Sequence, residues 1–390
     1  MLPDACDDAT VRRAFACADR SALVDLPHAL ASFELYAIDR WVERYAAAHA
    51  GAIWDSLGLP TGELDLGAAE LARRAGVADG RWPMFDALVR QLRARGLCDA
   101  TVCDPVMDPL DRILRVRAAP ELAPLRMRAA EVEVGPTRAL MDHVAVGYAD
   151  VVRGRTTGAQ LLGDRVALAL WHDYFAPTNP GYHAANVLAA ELARRVLPAE
   201  GALRALELGA GAGSGTIALL AAFADRDVDL VATDRSAALL DLARERVAAT
   251  PKVARVALRR LDFDREFPPD LGTFDLVFAA NALHAARELT GALAAVRALL
   301  APSGVLVLAE AVRLGPTDEL PQALVFALAP EFARSPRAAP PHRHGFLARD
   351  EWRAALGAAG YAPPVELPDP VALAGSGLEF RLSAMAARPL

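Results

Sequence analysis

Residues 205–216 read ALELGAGAGSGT, and this stretch decides the fold class. A short apolar run passes directly into a glycine-rich turn, and the apolar residues IALLAAF follow at once. A strand, a glycine turn and a helix in this order are typical of the ligand-binding edge of a parallel α/β sheet. The pattern therefore predicts that the backbone at Gly209 and Gly211 comes close to a bound ligand. Its spacing alone leaves a dinucleotide open as that ligand.

Further β-rich runs follow this turn and alternate with Ala- and Leu-rich helical stretches. The runs are DLVATD, VALRRLDF, FDLVFAAN and GVLVLAEA, and PVEL and LEFRLSAMAA come near the end of the chain. Such alternation is typical of successive βα units. We predict a seven-stranded, doubly wound α/β sheet of Rossmann-like type over residues 196–390. A hairpin turning at Gly375 and Gly377 would close it, and an insertion would lie at about 315–345.

Composition and charge exclude several classes of protein. The 390 residues carry a formal charge of -7, and 54% of them are apolar. The chain can therefore bury more than one core, while its acidic balance argues against nucleic acid as a partner. The N-terminus lacks the apolar core of a signal peptide, and no uncharged run is long enough for a membrane helix. Four cysteines without paired spacing fit a reducing compartment, so we expect a cytoplasmic protein.

The residues before the sheet region predict two helical parts. In the first, residues 1–105, two short helices around a turn at Gly76 to Gly80 give a helix-turn-helix pattern of winged-helix type. The outward arginines of this pattern are scattered among acids, which favours packing or dimerisation over DNA reading. The second part, residues 106–195, is predicted to be a helical lid or linker, which prolines and a glycine interrupt at 177–181.

Polar residues stand at the ends of the first four predicted strands of the sheet. Because the carboxyl ends of parallel strands share one edge, these residues predict a single pocket. An acid there can accept ribose hydroxyls, an acid with an aromatic neighbour can bind and cover adenine, and a further acid can hold a zwitterionic tail. The predicted contacts are Glu207, Gly209, Gly211, Asp234, Asp262, Phe263 and Asn281, with Tyr174, Phe175, Tyr182 and Asn186 of the lid near the entrance.

The segments ELGAGAGSGT, VATDRS, LDF and FDLVFAANALHA resemble those of class I S-adenosylmethionine-dependent methyltransferases. The resemblance covers about residues 196–390. It implies a seven-stranded sheet whose last strand is antiparallel, and it implies S-adenosylmethionine as the cofactor in the predicted pocket.

Two residues at neighbouring strand ends offer acid–base chemistry. His284 follows the fourth strand of the sheet and Glu310 ends the fifth, so the two side chains can meet in one crevice. An imidazole that a carboxylate orients is a competent general base. The string NALHAA with a strand-end glutamate is similar to the carbon-methyltransferase domains of polyketide synthases. That resemblance implies that His284 and Glu310 remove the α-proton of an acyl thioester held on an acyl carrier protein.

Carbon methylation needs an enolate, so the site must also stabilise an oxyanion. Two ways are open, since hydrogen-bond donors can hold the oxyanion or a metal ion can chelate the substrate oxygens. The helical N-terminal region, the lid and a His-bearing insertion resemble the mononuclear-iron methyltransferases of some polyketide loading modules, and more distantly an iron-dependent phenylpyruvate methyltransferase. The ligands implied for an iron or manganese ion are His284, His342, His344 and Gln322.

The sequence keeps three functions open. The first is methylation of the α-carbon of a malonyl- or β-keto-type acyl group in polyketide biosynthesis, within a larger synthase or as a homodimer. The second is O-methylation of a small phenolic metabolite, although His284 is followed here by Ala285 and not by the acid usual in that family; methylation of a 2-oxo acid carbon is related to the first. The third is a regulator without activity, which intact strand-end residues argue against.

Overall fold

The computed structural model describes residues 33–101, 113–116, 121, 125, 134–249, 254–315, 318–329, 345–374 and 379–390. These residues form two compact units. The first unit contains the described residues of 37–174 and of 315–329, and the second contains those of 33–36, of 175–314 and of 345–390. Among the described helices, none combines the length and the apolar character that crossing a bilayer requires.

The described chain contains both helices and strands throughout. The helices are α1 (Phe33–Ser56), α2 (Ala68–Ala75), α3 (Trp82–Ala94), α4 (Gly135–Val152), α5 (Gly158–Gly163), α6 (Arg165–Tyr174), α7 (Pro180–Val196), α8 (Ser214–Ala222), α9 (Ala237–Ala248), α10 (Leu289–Ala298), α11 (Ala323–Phe326), α12 (Arg349–Ala358) and α13 (Pro370–Leu373). The strands are β1 (Gly62–Gly67), β2 (Cys98–Thr101), β3 (Ile113–Val116), β4 (Leu203–Leu208), β5 (Val228–Asp234), β6 (Ala254–Arg260), β7 (Phe274–Ala280), β8 (Leu300–Ala311), β9 (Val365–Leu367) and β10 (Leu382–Ala387).

The first unit contains the predicted helix-turn-helix pattern. Helices α2 and α3 are accompanied by a three-stranded antiparallel sheet of order β1-β3-β2, as in a winged helix. Helix α3 buries Phe85, Leu88 and Leu92, which share one side of the helix. Strand β3 differs from the prediction, because the sequence from about residue 106 onward was expected to be helical. Its residues ILRV pair with strands on both sides, and this pairing outweighs the local helical pattern.

The second unit is built on the predicted seven-stranded sheet, whose order is β6-β5-β4-β7-β8-β10-β9. Strands β4 to β8 pair in parallel, whereas β10 runs antiparallel to both β8 and β9. The fold class and the antiparallel last strand are therefore confirmed. Helix α12 lies where a helix was predicted, and the predicted turn at Gly375 and Gly377 falls outside the described residues.

Both faces of the sheet are buried, as expected for parallel strands between helical layers. Along β7, Phe278 packs with residues of α7 and α8 on one face, and Val277 packs with residues of α10 and α12 on the other. This sandwich fixes the carboxyl ends of β4 to β8 at one edge, where the candidate site lies. The predicted division at residues 105 and 195 stays a prediction, as does the insertion at about 315–345.

Candidate active site

The glycine-rich turn after β4 is tightly packed against its neighbours. Gly209 has a φ of 71°, and a Cβ atom added there would lie 2.5 Å from the Cβ of Ala282. At Gly215 an added Cβ would lie 2.6 Å from Oε1 of Glu207. Side chains are therefore excluded at both positions, and the backbone passes close to the neighbouring strand ends. Beside Gly211, in contrast, no described atom lies within 4 Å of the Cβ position, so the turn is open there.

Glu207 is buried at the end of β4, and its Oε2 accepts a hydrogen bond of 2.5 Å from the hydroxyl of Thr216. Burial raises the pKa of Glu207 to about 7; the bond from Thr216 opposes this rise, and the charge of Asp234 adds to it. The carboxyl group therefore titrates near neutral pH. A cation placed beside it would favour the ionised form.

Asn186, on α7, is fully buried, and neither its Nδ2 nor its Oδ1 has a hydrogen-bond partner among the described residues. Its Oδ1 lies 3.7 Å from the Cβ position of Gly215, beside the Oε1 of Glu207. The two side chains therefore border the same space. A buried amide that is left unbonded is costly, so this group calls for a ligand or an ordered water.

The acid that ends β5 and the acid that follows β6 are oriented by backbone amides. Oδ2 of Asp234 accepts the N–H of Gly211 at 2.9 Å, and its Oδ1 accepts the N–H of Ser236 at 2.8 Å. Asp262 accepts the N–H of Asp264 at 3.1 Å, and the half-buried Phe263 packs against the core. Since β5 and β6 are neighbours, these predicted residues stand side by side at the sheet edge.

The predicted entrance residues fall in both units. Tyr182 is half-buried on α7, and its ring meets that of Phe175 edge-on with centroids 5.1 Å apart. Tyr174 is buried in the first unit, where its ring packs against those of Trp171 and Phe326, and burial raises the pKa of its hydroxyl.

His284 and Glu310 meet in the second unit. Nδ1 of His284 lies 2.5 Å from Oε2 of Glu310, and both side chains are buried. The other oxygen of Glu310 accepts the backbone N–H groups of Ala282 and Leu283 at 3.2 and 3.1 Å. Three hydrogen bonds thus hold the carboxylate in one orientation. The pair is an imidazole whose tautomer a buried carboxylate can set.

Asn281 produces the turn that brings His284 to β8. It has a φ of 50°, in the left-handed region that Asn tolerates better than most residues. Its Oδ1 accepts the N–H of Ala311 at 3.1 Å, and its own N–H donates to the carbonyl of Ala309 at 2.7 Å. The predicted cofactor contact Asn281 therefore ties the end of β7 to β8.

Sequence reasoning missed two residues beside this pair. Phe346 places its ring against the imidazole of His284, and Arg313 binds the carbonyl of Phe346. Nothing in the local pattern around Phe346 signals this contact, because it joins distant parts of the chain.

The described residues do not contain the four predicted metal ligands within one unit. His342 and His344 lie outside them, and Gln322 belongs to the first unit, whereas His284 belongs to the second. Within the described ranges, no group of three or more His, Cys, Asp or Glu side chains could hold a metal ion. The metal site stays a prediction.

Comparison with known proteins identifies a domain type within the second unit. Residues 206–306 match a family model described as a methyltransferase domain. The second unit therefore contains a methyltransferase domain. The methyltransferase has the fold of the CurJ carbon methyltransferase, with a TM-score of 0.69 at 21% identity, over 91% of this chain and 92% of that one. It also has the fold of the CMeT domain of the citrinin polyketide synthase, with a TM-score of 0.68 at 19% identity, over 90% and 89% of the two chains.

A curated relative is much longer than this chain. Tenellin synthetase of Beauveria bassiana is 33% identical over 174 residues, which are 44% of the methyltransferase chain and 4% of the synthetase. The methyltransferase thus spans about 4% of the length of that relative.

Proposed function

We propose that this methyltransferase methylates the α-carbon of a malonyl- or β-keto-type acyl group that is presented as a thioester on an acyl carrier protein. The buried pair of His284 and Glu310 carries the proposal, because an α-C–H bond must lose its proton before the carbon can act as a nucleophile. The likeness in fold to the CMeT domain of the citrinin polyketide synthase supports a place in polyketide biosynthesis.

The pocket residues fit S-adenosylmethionine. Asn186 has two buried polar atoms that lack described partners, and Glu207 beside it has a carboxyl group that an ammonium ion would ionise. These two residues would hold the amino-acid end of the cofactor. Asp234 would accept the ribose hydroxyls, while Asp262 and Phe263 would hold the adenine. The open side of the turn at Gly211 leaves room for the ligand.

The mechanism follows from the orientation of His284. With Nδ1–H donated to the carboxylate of Glu310, the basic lone pair of the ring lies on Nε2. Nε2 takes the α-proton of the thioester, and the C–H electron pair moves into the carbonyl to form an enolate. Glu310 stabilises the resulting imidazolium without taking its proton. When bound, S-adenosylmethionine supplies the electrophilic methyl group that the enolate carbon attacks.

The iron or manganese ion stays a prediction, because two of its implied ligands, His342 and His344, lie outside the described residues. Elemental analysis of the purified protein tests the predicted iron or manganese. If metal is present in the wild type and lost in His342→Ala or His344→Ala, the substituted histidine is a ligand. The same comparison with Gln322→Ala tests Gln322 as a ligand.

The proposal is tested by deuterium exchange at the α-carbon of a malonyl thioester, measured by mass spectrometry before any methyl transfer. We expect exchange in wild type, and a loss of both exchange and transfer of about a hundredfold or more in His284→Ala. Cofactor binding, measured by calorimetry, should persist. The matched control is His172→Ala, which removes an exposed histidine that also pairs with an acid.

The alternative functions give different products. Methylation of a phenolic oxygen without α-exchange would overturn the proposal in favour of an O-methyltransferase. Exchange and methylation of a 2-oxo acid, with no reaction of a malonyl thioester, would keep the base but replace the substrate.

A further inference from the structure

The imidazole of His284 contacts an aromatic ring that the proposed mechanism does not use. The ring of Phe346 lies with its centroid 4.9 Å from that of the imidazole, and the two planes are tilted by 33°. Both residues are buried, at 7% and 8% exposure. The phenyl ring therefore covers part of the imidazole and limits its rotation.

The position of Phe346 is set from the end of β8. Arg313 is buried, and its Nε donates a hydrogen bond of 2.8 Å to the carbonyl of Phe346. The backbone N–H of Arg313 donates to the carbonyl of Leu347 at 3.0 Å, and Arg313 forms a parallel bridge with Ala348. Two hydrogen bonds thus fix the backbone on which the phenyl ring stands.

The charge of Arg313 is balanced within the same cluster. Its Nη2 lies 2.6 Å from Oε2 of Glu351, which also accepts the N–H of Ala348 at 2.7 Å. A buried guanidinium that keeps a carboxylate and a carbonyl as partners is a rigid anchor.

Two partners of the imidazole are consequently attached to one strand end. Glu310, within β8, binds the Nδ1 atom of His284, and Arg313, just beyond the strand, places Phe346 against the ring. The hydrogen bond fixes the direction of the ring, and the aromatic contact restricts its plane. A proton-transfer atom needs both constraints, because a displacement of about 1 Å can cost about a hundredfold in rate.

We propose that Phe346, anchored by Arg313, is a positioning residue that holds the imidazole of His284 in its reactive orientation and keeps water from the His284–Glu310 hydrogen bond. This inference rests on the proposed role of His284 as the base. The inference can nevertheless be tested separately from the proposed function, because water access to the His284–Glu310 hydrogen bond can be measured without substrate.

The test compares Phe346→Leu, which keeps an apolar side chain but removes the ring, with Phe346→Tyr, which keeps the ring. Proton NMR of the cofactor-bound protein follows the hydrogen-bonded proton on Nδ1 of His284, which is identified by its disappearance in Glu310→Gln. In Phe346→Leu we expect its exchange with water to be at least about tenfold faster and kcat for methyl transfer to fall at least about tenfold, with KM unchanged. Phe346→Tyr should restore both.

The matched control is Phe223→Leu, because Phe223 is also a buried ring of the second unit. It should lower stability without changing proton exchange or kcat. Phe346→Met replaces the leucine variant if that variant does not fold, with the same criteria.

The inference would be overturned if a folded Phe346→Leu protein showed the same proton exchange rate and the same kcat as the wild type. If the wild type transfers no methyl group to any acyl thioester, the proposed function fails. The proton-exchange comparison then still decides whether Phe346 protects the hydrogen bond of His284.

Discussion

Glu207 is a carboxyl group whose charge depends on what is placed beside it. It is buried at the end of β4 with one hydroxyl partner, and burial raises its pKa to about 7. An isolated carboxylate in such surroundings is unfavourable, while a carboxylate beside an ammonium ion is not. The residue is therefore suited to respond to the arrival of a zwitterionic ligand.

This behaviour predicts that cofactor binding depends on pH. Below pH of about 7 the carboxyl of Glu207 is protonated before binding, so the ammonium group must compete with a proton. We expect the Kd for S-adenosylmethionine to rise by up to about tenfold for each pH unit between 7 and 5. Isothermal titration calorimetry of wild type and Glu207→Gln measures this dependence. The variant should bind more weakly and with little change over the same range, and an equally steep change in the variant would contradict the prediction.

At the residue level, the His284–Glu310 pair could be predicted from the sequence because His284 follows one strand and Glu310 lies near the end of the next, and these strands had to be neighbours in a parallel sheet. The partners that join distant parts of the chain could not be predicted in this way. Phe346 reaches His284 through the anchor at Arg313, and no spacing rule connects these three positions. The lack of described partners for Asn186 is likewise visible only once α7 is packed against the sheet.

Among the elements, α7 packs on the sheet and also carries a buried polar side chain without a described hydrogen-bond partner. Its apolar residues Leu188 and Leu192 pack on the sheet, while Asn186 on the same helix is fully buried beside Glu207 and Gly215. An apolar residue at position 186 would suit the packing better than an amide does. We infer that the amide is retained for the ligand and that the unliganded protein is less stable because of it.

Substitution of Asn186 by leucine should therefore affect stability and binding in opposite directions. Removal of the unbonded amide is expected to stabilise the unliganded protein by about 1–2 kcal/mol if the larger side chain fits, measured by urea denaturation. The Kd for S-adenosylmethionine should rise at least about tenfold, since a hydrogen bond to a charged group is lost. Asn186→Ala, which avoids any added volume, should weaken binding to a similar extent. Unchanged affinity in both variants would show that the amide does not contact the cofactor.

The order of the elements could be predicted from the sequence more readily than their boundaries. Alternating βα runs predicted the seven strands of the second unit because each strand had to be buried between two helical layers. Strand β3 was missed because a four-residue strand depends on partners that local periodicity does not reveal. In the same way, the left-handed turn at Asn281 depends on bonds to β8 that form only in the folded sheet.

At the scale of the whole molecule, the relevant point is how the substrate is presented. The described chain forms two units, and its aligned part covers only 4% of tenellin synthetase. A thioester on a carrier protein brings contacts that a free thioester lacks, and contacts remote from the reacting carbon can increase kcat/KM. We expect kcat/KM for malonyl on a carrier protein to exceed that for malonyl-coenzyme A by at least about tenfold. Steady-state kinetics with both substrates measure the ratio, and malonyl-pantetheine controls for the arm alone. Equal values for all three would argue against recognition of the carrier.

The position of β10 between β8 and β9 has a practical consequence for the design of shortened versions of the protein. The family match ends at residue 306, but Glu310 lies beyond it, and in the sheet Glu310 is paired with Ser383 near the end of the chain. A fragment cut at the end of the match would lose the carboxylate and expose one side of β8. Any shortened version meant to retain the proposed activity must run through Ala387, because β10 pairs with the side of β8 that such a cut would expose.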